Sequence, residues 1–204
     1  MKRCFIVGAG EFSVSFTPTE EDFVIAADGG YDHLKKSGIR VDLLVGDFDS
    51  IDSVPKGVEL VRFKKEKDET DMHLAYLEGK KRGFSCFEIY GGSGGRADHT
   101  FANYCLLSYI KNQGDVAYMH TETSITYVLK NEESCVFGKS GDTVSVFAFG
   151  GDAVGVDILG LEYEVTNAML NMSFPLGVSN KLTDKPAKIR VRDGELLIIQ
   201  EKNL

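Results

Sequence analysis

Over roughly the first 120 residues, short apolar runs alternate with stretches of helical spacing. The runs at 5–7, 23–27, 43–45, 58–61, 86–90 and 116–119 are built on β-branched, leucyl and aromatic residues. Such runs predict buried strands of a mainly parallel sheet joined by helices. Between them, Tyr31, Leu34 and Lys35 suit a short helix ended by Gly38, and Leu74, Leu77 and Lys81 suit a longer one ended by Gly83. A third helix is expected over 97–111, with Phe101, Cys105 and Ser108 on one side and Gly114 beyond its end. Repeated βα units bring the strand tips and their polar loops to one edge, where open α/β sheets bind ligands.

After residue 120 the helical period disappears. Runs rich in Val, Ile, Phe and Thr recur at 124–129, 143–149, 154–158, 188–191 and 196–200, between Gly, Asn and Asp turns. Asp193-Gly194 reads as the turn of a hairpin between the last two. The pattern predicts an α/β N-terminal domain over 1–122 and an all-β C-terminal domain over 123–204, a sandwich or partly open barrel that is small for independent stability. It would lean on the first domain or on a second subunit.

Composition narrows the functional classes. The 204 residues include 43% hydrophobic, 26% charged and only 4 prolines, enough apolar surface to offset chain ordering. A formal charge of −8 opposes a nucleic-acid backbone or an anionic membrane surface as the main partner, and an anionic substrate would need metal ions or focused arginines. The cysteines Cys4, Cys86, Cys105 and Cys135 form no CxxC pair and read as reduced core residues. Lys2-Arg3 and the apolar residues that follow end at Glu11, short for a signal core, and no apolar run reaches membrane length. A cytoplasmic protein is expected.

Three polar loops carry the chemistry. Gly46-Asp47-Phe48-Asp49-Ser50 follows an apolar run, and in extended chain Asp47 and Asp49 share one side roughly 6–7 Å apart, a spacing from which two carboxylates converge on a cation. Alone, the pair equally describes a solvated Asx turn. Asp68-Glu69-Thr70-Asp71 opens the second helix, where capping explains one or two of these groups better than all of them. Gly91-Gly92-Ser93-Gly94-Gly95-Arg96-Ala97-Asp98-His99 joins a strand to a helix; it could be a flexible turn, but four glycines in five positions at the sheet's ligand edge favour a phosphate cradle of backbone amides, to which Arg96 adds a planar donor.

Two familiar phosphate motifs fail. No Gly-Lys-Ser/Thr follows Gly91, which excludes a P-loop. Gly8-Ala9-Gly10 with Asp28 begins a dinucleotide fingerprint, but Ser13 holds its third glycine position and Thr17-Pro18-Thr19 interrupts its helix. Asp47, Asp49, Asp71 and Asp98 beside the glycine-rich loop fit Mg²⁺ shared between carboxylates and substrate phosphates, in a metal-dependent phosphoryl-type transfer. His73, His99 and His120 read as surface or helix-face residues without metal-ligand spacing.

These residues resemble the thiamine pyrophosphokinase family. The matching elements are Ala27-Asp28-Gly29-Gly30, the segment 42–50, Asp68-Glu69-Thr70-Asp71, the segment 91–99, Gly160-Leu161-Glu162-Tyr163 and Gly177-Val178-Ser179-Asn180, in the family's order along almost the whole chain. The resemblance implies transfer of a pyrophosphoryl group from ATP to thiamine, giving thiamine diphosphate and AMP, with Mg²⁺, in a homodimer whose site lies between subunits. It implies Asp47, Asp49 and Asp71 as metal and catalytic acids and Asp98 and Arg96 as the acid and cation of the glycine-rich loop. Asp28, Thr70, Gly91, Gly92 and Gly95 would face the substrates, and Ser179 and Asn180 would face thiamine from the β domain. Lys181-Leu182 stands where relatives often carry an acidic or aromatic residue, and tryptophan is absent, so no indole can stack on thiamine here. Two rivals stay open: a phosphatase of the haloacid-dehalogenase type, with Asp47 as nucleophile, and a non-enzymatic sensor. Two strands ahead of Asp47 oppose the first and the intact acid set opposes the second.

Overall fold

The computed structural model describes residues 2–13, 16–47, 57–63 and 68–201, which divide into two compact units, Met1–Glu122 and Thr123–Leu204. The first unit holds strands β1 (Cys4–Val7), β2 (Phe23–Ala27), β3 (Leu43–Gly46), β4 (Glu59–Arg62), β5 (Cys86–Tyr90) and β6 (Val116–His120). Its helices are α1 (Gly30–Lys36), α2 (Asp71–Lys81) and α3 (Ala97–Asn112). The strands lie in the order β4-β3-β2-β1-β5-β6, and every pairing among the described residues is parallel. The chain lays β1 to β4 outward in one direction, then returns to place β5 on the free edge of β1. The loops leaving β1 and β5 therefore part company at a topological switch, the usual crevice of such sheets.

Alternation along each strand sorts the core into two layers. Phe5, Val7, Val24, Ala26, Leu44 and Tyr90 pack with Leu34 of α1 in one cluster, joined by Phe12 and Phe16. Cys4, Ile25 and Phe87 point the other way, toward α2. There a Cβ on Gly79 would lie 2.8 Å from Phe87 Cε1 and 2.9 Å from Cys4 Sγ, so a glycine sits where helix and sheet meet most closely. Thr70 caps α2, its Oγ1 accepting the His73 N–H at 3.2 Å. Gly38, Gly83 and Gly114, each at positive φ, follow the three helix ends as the sequence predicts.

The second unit is antiparallel β throughout: β7 (Ser124–Lys130), β8 (Glu133–Val136), β9 (Thr143–Leu159), β10 (Val165–Leu170), β11 (Gly177–Lys181), β12 (Ala187–Arg190) and β13 (Asp193–Glu201). The runs at 143–149 and 154–158 are one strand of 17 residues rather than two. Its first part pairs with β13 and β11 and its second with β10 and β12. The exchange of partners falls at Gly150, whose φ of 72° lets the strand change course.

Three expectations are corrected here. Asp193-Gly194 makes no hairpin, because β12 and β13 each pair with β9 instead of with one another. Cys4 and Cys86 are buried, but Cys105 and Cys135 are exposed; all four are free. On α3 the inner face is Asn103, Leu106, Leu107 and Ile110, while Phe101 stands 60% exposed.

The start of β1 is tied to the approach to β2 through one carboxylate. Asp22 Oδ1 accepts the Arg3 backbone N–H at 3.0 Å, and Oδ2 accepts Arg3 Nη2 at 3.0 Å and both the backbone N–H and hydroxyl of Thr19 at 2.8 Å. Burial alone would raise its pKa, but these bonds from Arg3 and Thr19 outweigh it and hold the carboxyl well below the usual range. The folded state then binds this proton less readily than the unfolded chain. The pair's contribution to stability is complete above the unfolded carboxyl value of about 4 and is lost as pH falls below it. Asp22→Asn is expected to lower the urea midpoint at neutral pH, with the gap to the native protein closing on acidification. A gap independent of pH would refute the assignment.

Candidate active site

The crevice between β1 and β5 is built by two glycine-rich loops bonded to each other. Gly8 N–H donates to Tyr90 O at 2.8 Å, Gly10 N–H to Gly91 O at 2.9 Å and Glu11 N–H to Ser93 O at 2.8 Å. A Cβ on Gly8 would stand 2.7 Å from Gly91 O, and one on Gly91, at φ 61°, would stand 2.3 Å from Gly8 O. No side chain fits between these backbones. Asn103 braces the second loop from α3: its amide, buried in the helix face, donates to Gly92 O at 2.6 Å.

Two adjoining cavities flank this seam. One of about 210 Å³ is lined by Gly8, Ala9, Asp28, Thr70 and Asp71, among others. The other, of about 340 Å³, is lined by Gly10, Gly91, Gly92, Gly94, Gly95 and Arg96. Ala9, Met72, His99 and Asn103 line both. The first cavity holds carboxylates and suits a cation. The second offers backbone and a guanidinium and suits an anion.

Strand ends supply the acids. Asp28 closes β2 at the unusual φ of 47°, its N–H bonded to Val45 O at 2.8 Å, and the backbone and Cβ of Asp28 abut Gly46 of β3. Asp47 follows directly after β3, and Asp71 is the first residue of α2. Asp49 lies outside the described residues. Asp98 stands apart from Asp28 and Asp71. Arg96 Nε and Nη2 donate to its two oxygens at 3.1 and 2.6 Å, and this bidentate bond holds the Asp98 carboxyl below the usual carboxylate range. Among the described residues, no three Asp, Glu, His or Cys side chains stand close enough together to hold a metal ion. Asp28 and Asp71 with the Thr70 hydroxyl are nevertheless an all-oxygen donor set around one cavity, as Mg²⁺ requires.

Behind the crevice, Glu69, His73, Asp98, Phe101, Cys105 and Tyr109 line a groove of about 490 Å³ between α2 and α3. His73 packs against Tyr109 with ring centroids 4.5 Å apart and planes tilted by 58°, its Nε2 is buried with no hydrogen-bond partner among the described residues, and burial pushes its pKa down. In the second unit, Ser179 is exposed at φ 58°. Asn180 is buried: its Oδ1 accepts the backbone N–H groups of Tyr163 and Lys181, each at 2.9 Å, and its Nδ2 donates to Tyr163 O at 2.7 Å. This clamp holds the Gly160-Leu161-Glu162-Tyr163 segment and leaves the Tyr163 side chain 66% exposed.

Sequence reasoning passed over several lining residues. Gly8 and Ala9 were set aside because the dinucleotide fingerprint they begin is incomplete, yet with Asp28 they do line the smaller cavity. His99 carried a surface reading although it lines both cavities. Asn103 gave one signal, a polar residue on the buried face of a helix.

Residues 17–119 match the family described as "Thiamin pyrophosphokinase, catalytic domain", and residues 126–196 match "Thiamin pyrophosphokinase, vitamin B1 binding domain". A curated relative, thiamine pyrophosphokinase of Bacillus subtilis (strain 168), is 26% identical over 188 residues, covering 89% of this chain and 88% of the relative. Among solved structures, thiamine pyrophosphokinase from Bacillus subtilis superposes with a TM-score of 0.87 at 22% identity, over 99% of this chain and 100% of that one. A family protein from Enterococcus faecalis superposes with a TM-score of 0.87 at 24% identity over the same shares. The enzyme from Candida albicans reaches 0.75 at 18% identity, over 98% of this chain and 89% of its own.

The brace on the glycine loop is open to a direct test. Asn103→Ala leaves the buried Gly92 carbonyl without its donor, at a cost of about 1–3 kcal/mol. Amide protons of residues 91–95 should then exchange faster than in the native protein, with those of β3 and β4 unchanged. Uniform acceleration across the unit would mean that Asn103 supports the fold and not the loop.

Proposed function

The chain belongs to the thiamin pyrophosphokinase family, whose enzymes form thiamine diphosphate, and from that premise we propose that it transfers a pyrophosphoryl group from ATP to thiamine and releases AMP. The observation that carries this reading is the pair of adjoining cavities, one lined by carboxylates and one by glycine backbone. A triphosphate lying across them has an anion cradle for the nucleotide end and a cation-holding site at the end that is transferred.

In this reading the hydroxyethyl oxygen of thiamine bonds to the β-phosphorus as the bond from that phosphorus to the oxygen shared with the α-phosphate breaks. The electron pair stays on AMP, and the hydroxyl proton passes to solvent. Amides of Gly91, Gly92 and Gly95, with Arg96, take up charge on the nucleotide, and Asp98 fixes the plane of the Arg96 guanidinium. Asp28 lines the cleft, and Thr70 sets the first turn of α2 so that Asp71 faces the smaller cavity. Asp47, Asp49 and Asp71 would hold Mg²⁺, which supplies positive charge to the substrate phosphates when bound.

The second unit, which we read as a β-sandwich, holds thiamine through the surface at Ser179 and Asn180. Asn180 acts there through its clamp on Tyr163, whose ring is the aromatic surface available in a chain without tryptophan. We read the enzyme as a cytoplasmic homodimer with its site shared between subunits. Met169, Met172, Phe174 and Leu176, each more than half exposed, support a partner surface on the second unit. Among the described residues, no helix is long and apolar enough to cross a membrane.

Chromatography of the nucleotides after incubation with ATP, Mg²⁺ and thiamine tests the reaction. AMP and thiamine diphosphate should form in equal amounts, with little AMP when thiamine is omitted. Thiamine-dependent ADP would overturn the assignment, and phosphate released through an intermediate on Asp47 would favour the phosphatase. Asp71→Asn should abolish turnover at saturating Mg²⁺ while leaving the fold intact. Light scattering should give twice the chain mass of 22.4 kDa across the active concentration range, and a monomer there would exclude a shared site.

A further inference from the structure

Four residues form the wall common to the two cavities: Ala9, Met72, His99 and Asn103. The side chains of Ala9 and Met72 have no strong polar group to offer a phosphate. One N–H of the Asn103 side-chain amide is given to Gly92 O, and that bond turns the group toward the glycine loop. Arg96, the cationic side chain in these linings, reaches only the larger cavity and is already held by both oxygens of Asp98. His99 remains: it is exposed, and its ring makes no hydrogen bond among the described residues, while its backbone N–H is taken by Asp98 Oδ1 at 3.0 Å.

Resting on the function proposed above, we propose that His99 is a further catalytic residue, donating a hydrogen bond from its ring to the phosphate oxygen that bridges the two cavities. The argument is one of charge and position. The nucleotide phosphate belongs over the amides and the transferred group beside the carboxylates, so the linkage between them crosses the shared wall. The oxygen of that linkage gains a full electron pair when the bond to the β-phosphorus breaks. A donor aimed at it there acts where negative charge develops, which accelerates the step more than uniform binding of ATP would. The ring keeps its own proton, and the thiamine hydroxyl proton goes to solvent as before.

His99→Ala and His99→Gln in the full chain test this, with initial rates taken while ATP and thiamine are varied in turn. His99→Ala should lower kcat and kcat/KM for ATP by about a hundredfold, with the KM of thiamine within about twofold of native. His99→Gln keeps a donor and should recover part of the loss. A second readout needs no turnover: the His99 ring signal in proton NMR, identified by its absence from His99→Gln, should move when AMP is added without thiamine. Native turnover with His99→Ala at an unchanged rate would overturn this proposal and leave the pyrophosphoryl transfer standing. A rise confined to the KM of thiamine would also overturn it by putting His99 at the acceptor. Absence of thiamine-dependent AMP from the native protein would overturn the transfer reading and this role together.

Discussion

The closeness of the backbones at Gly8 and Gly91 is the constraint on which the site depends. Hydrogen bonds from Gly8 and Gly10 join the loop after β1 to the loop after β5, and a Cβ on either side would fall within 2.7 Å of the opposite carbonyl. Parallel sheets open a crevice at such a switch as a matter of topology, but topology sets neither its depth nor its lining. Here the seam sets both. It holds the glycine-rich loop against the loop after β1, with Asn103 fixing it from α3. The seam is also the floor from which the two cavities part.

Charge is sorted across that floor. The smaller cavity receives carboxylates because it lies over the end of β2 and the start of α2, where Asp28 and Asp71 are placed by a strand end and a capped helix. The larger one lies over the loop after β5, which contributes backbone and one guanidinium. A strongly acidic chain can receive a polyanion only if its negative charge is kept to one side of the binding site or neutralised there. The Arg96–Asp98 pair is part of the same arrangement. It pairs the Asp98 carboxylate with a cation on the loop's own side of the floor.

Much of the first unit was legible because its elements satisfy local rules: continuous apolar runs for buried parallel strands, glycines at positive φ after each helix, a threonine cap ahead of Asp71. The loop seam was not legible, since it is a contact between residues about eighty positions apart whose only local trace is the lack of a Cβ. Gly8-Ala9-Gly10 was weighed against a complete dinucleotide motif and set aside, although a strand tip beside a switch point needs only part of it. In the second unit, β10 and β11 left no alternating pattern. Asn167 and Ser179 interrupt them at positive φ and most of their side chains are exposed, so burial wrote no period into the sequence. Asp193-Gly194 misled for a related reason: a turn dipeptide reports a local bend but not which strand lies across from it.

The pairing of β7 with β13 has a bearing on how the chain comes into being. β7 opens the second unit at Ser124, yet its partner there runs to Glu201. During synthesis the first unit has every strand of its sheet before the ribosome reaches residue 124, and can close while the rest is still being made. The second unit must wait, its opening strand without its partner in the unit until residues 193–201 have been made. Such long-range pairing is slow and leaves an apolar strand edge open in the meantime. The second unit is thus the one whose closure waits on β13, so loss of residues 193–201 would spare the first unit and lose the second.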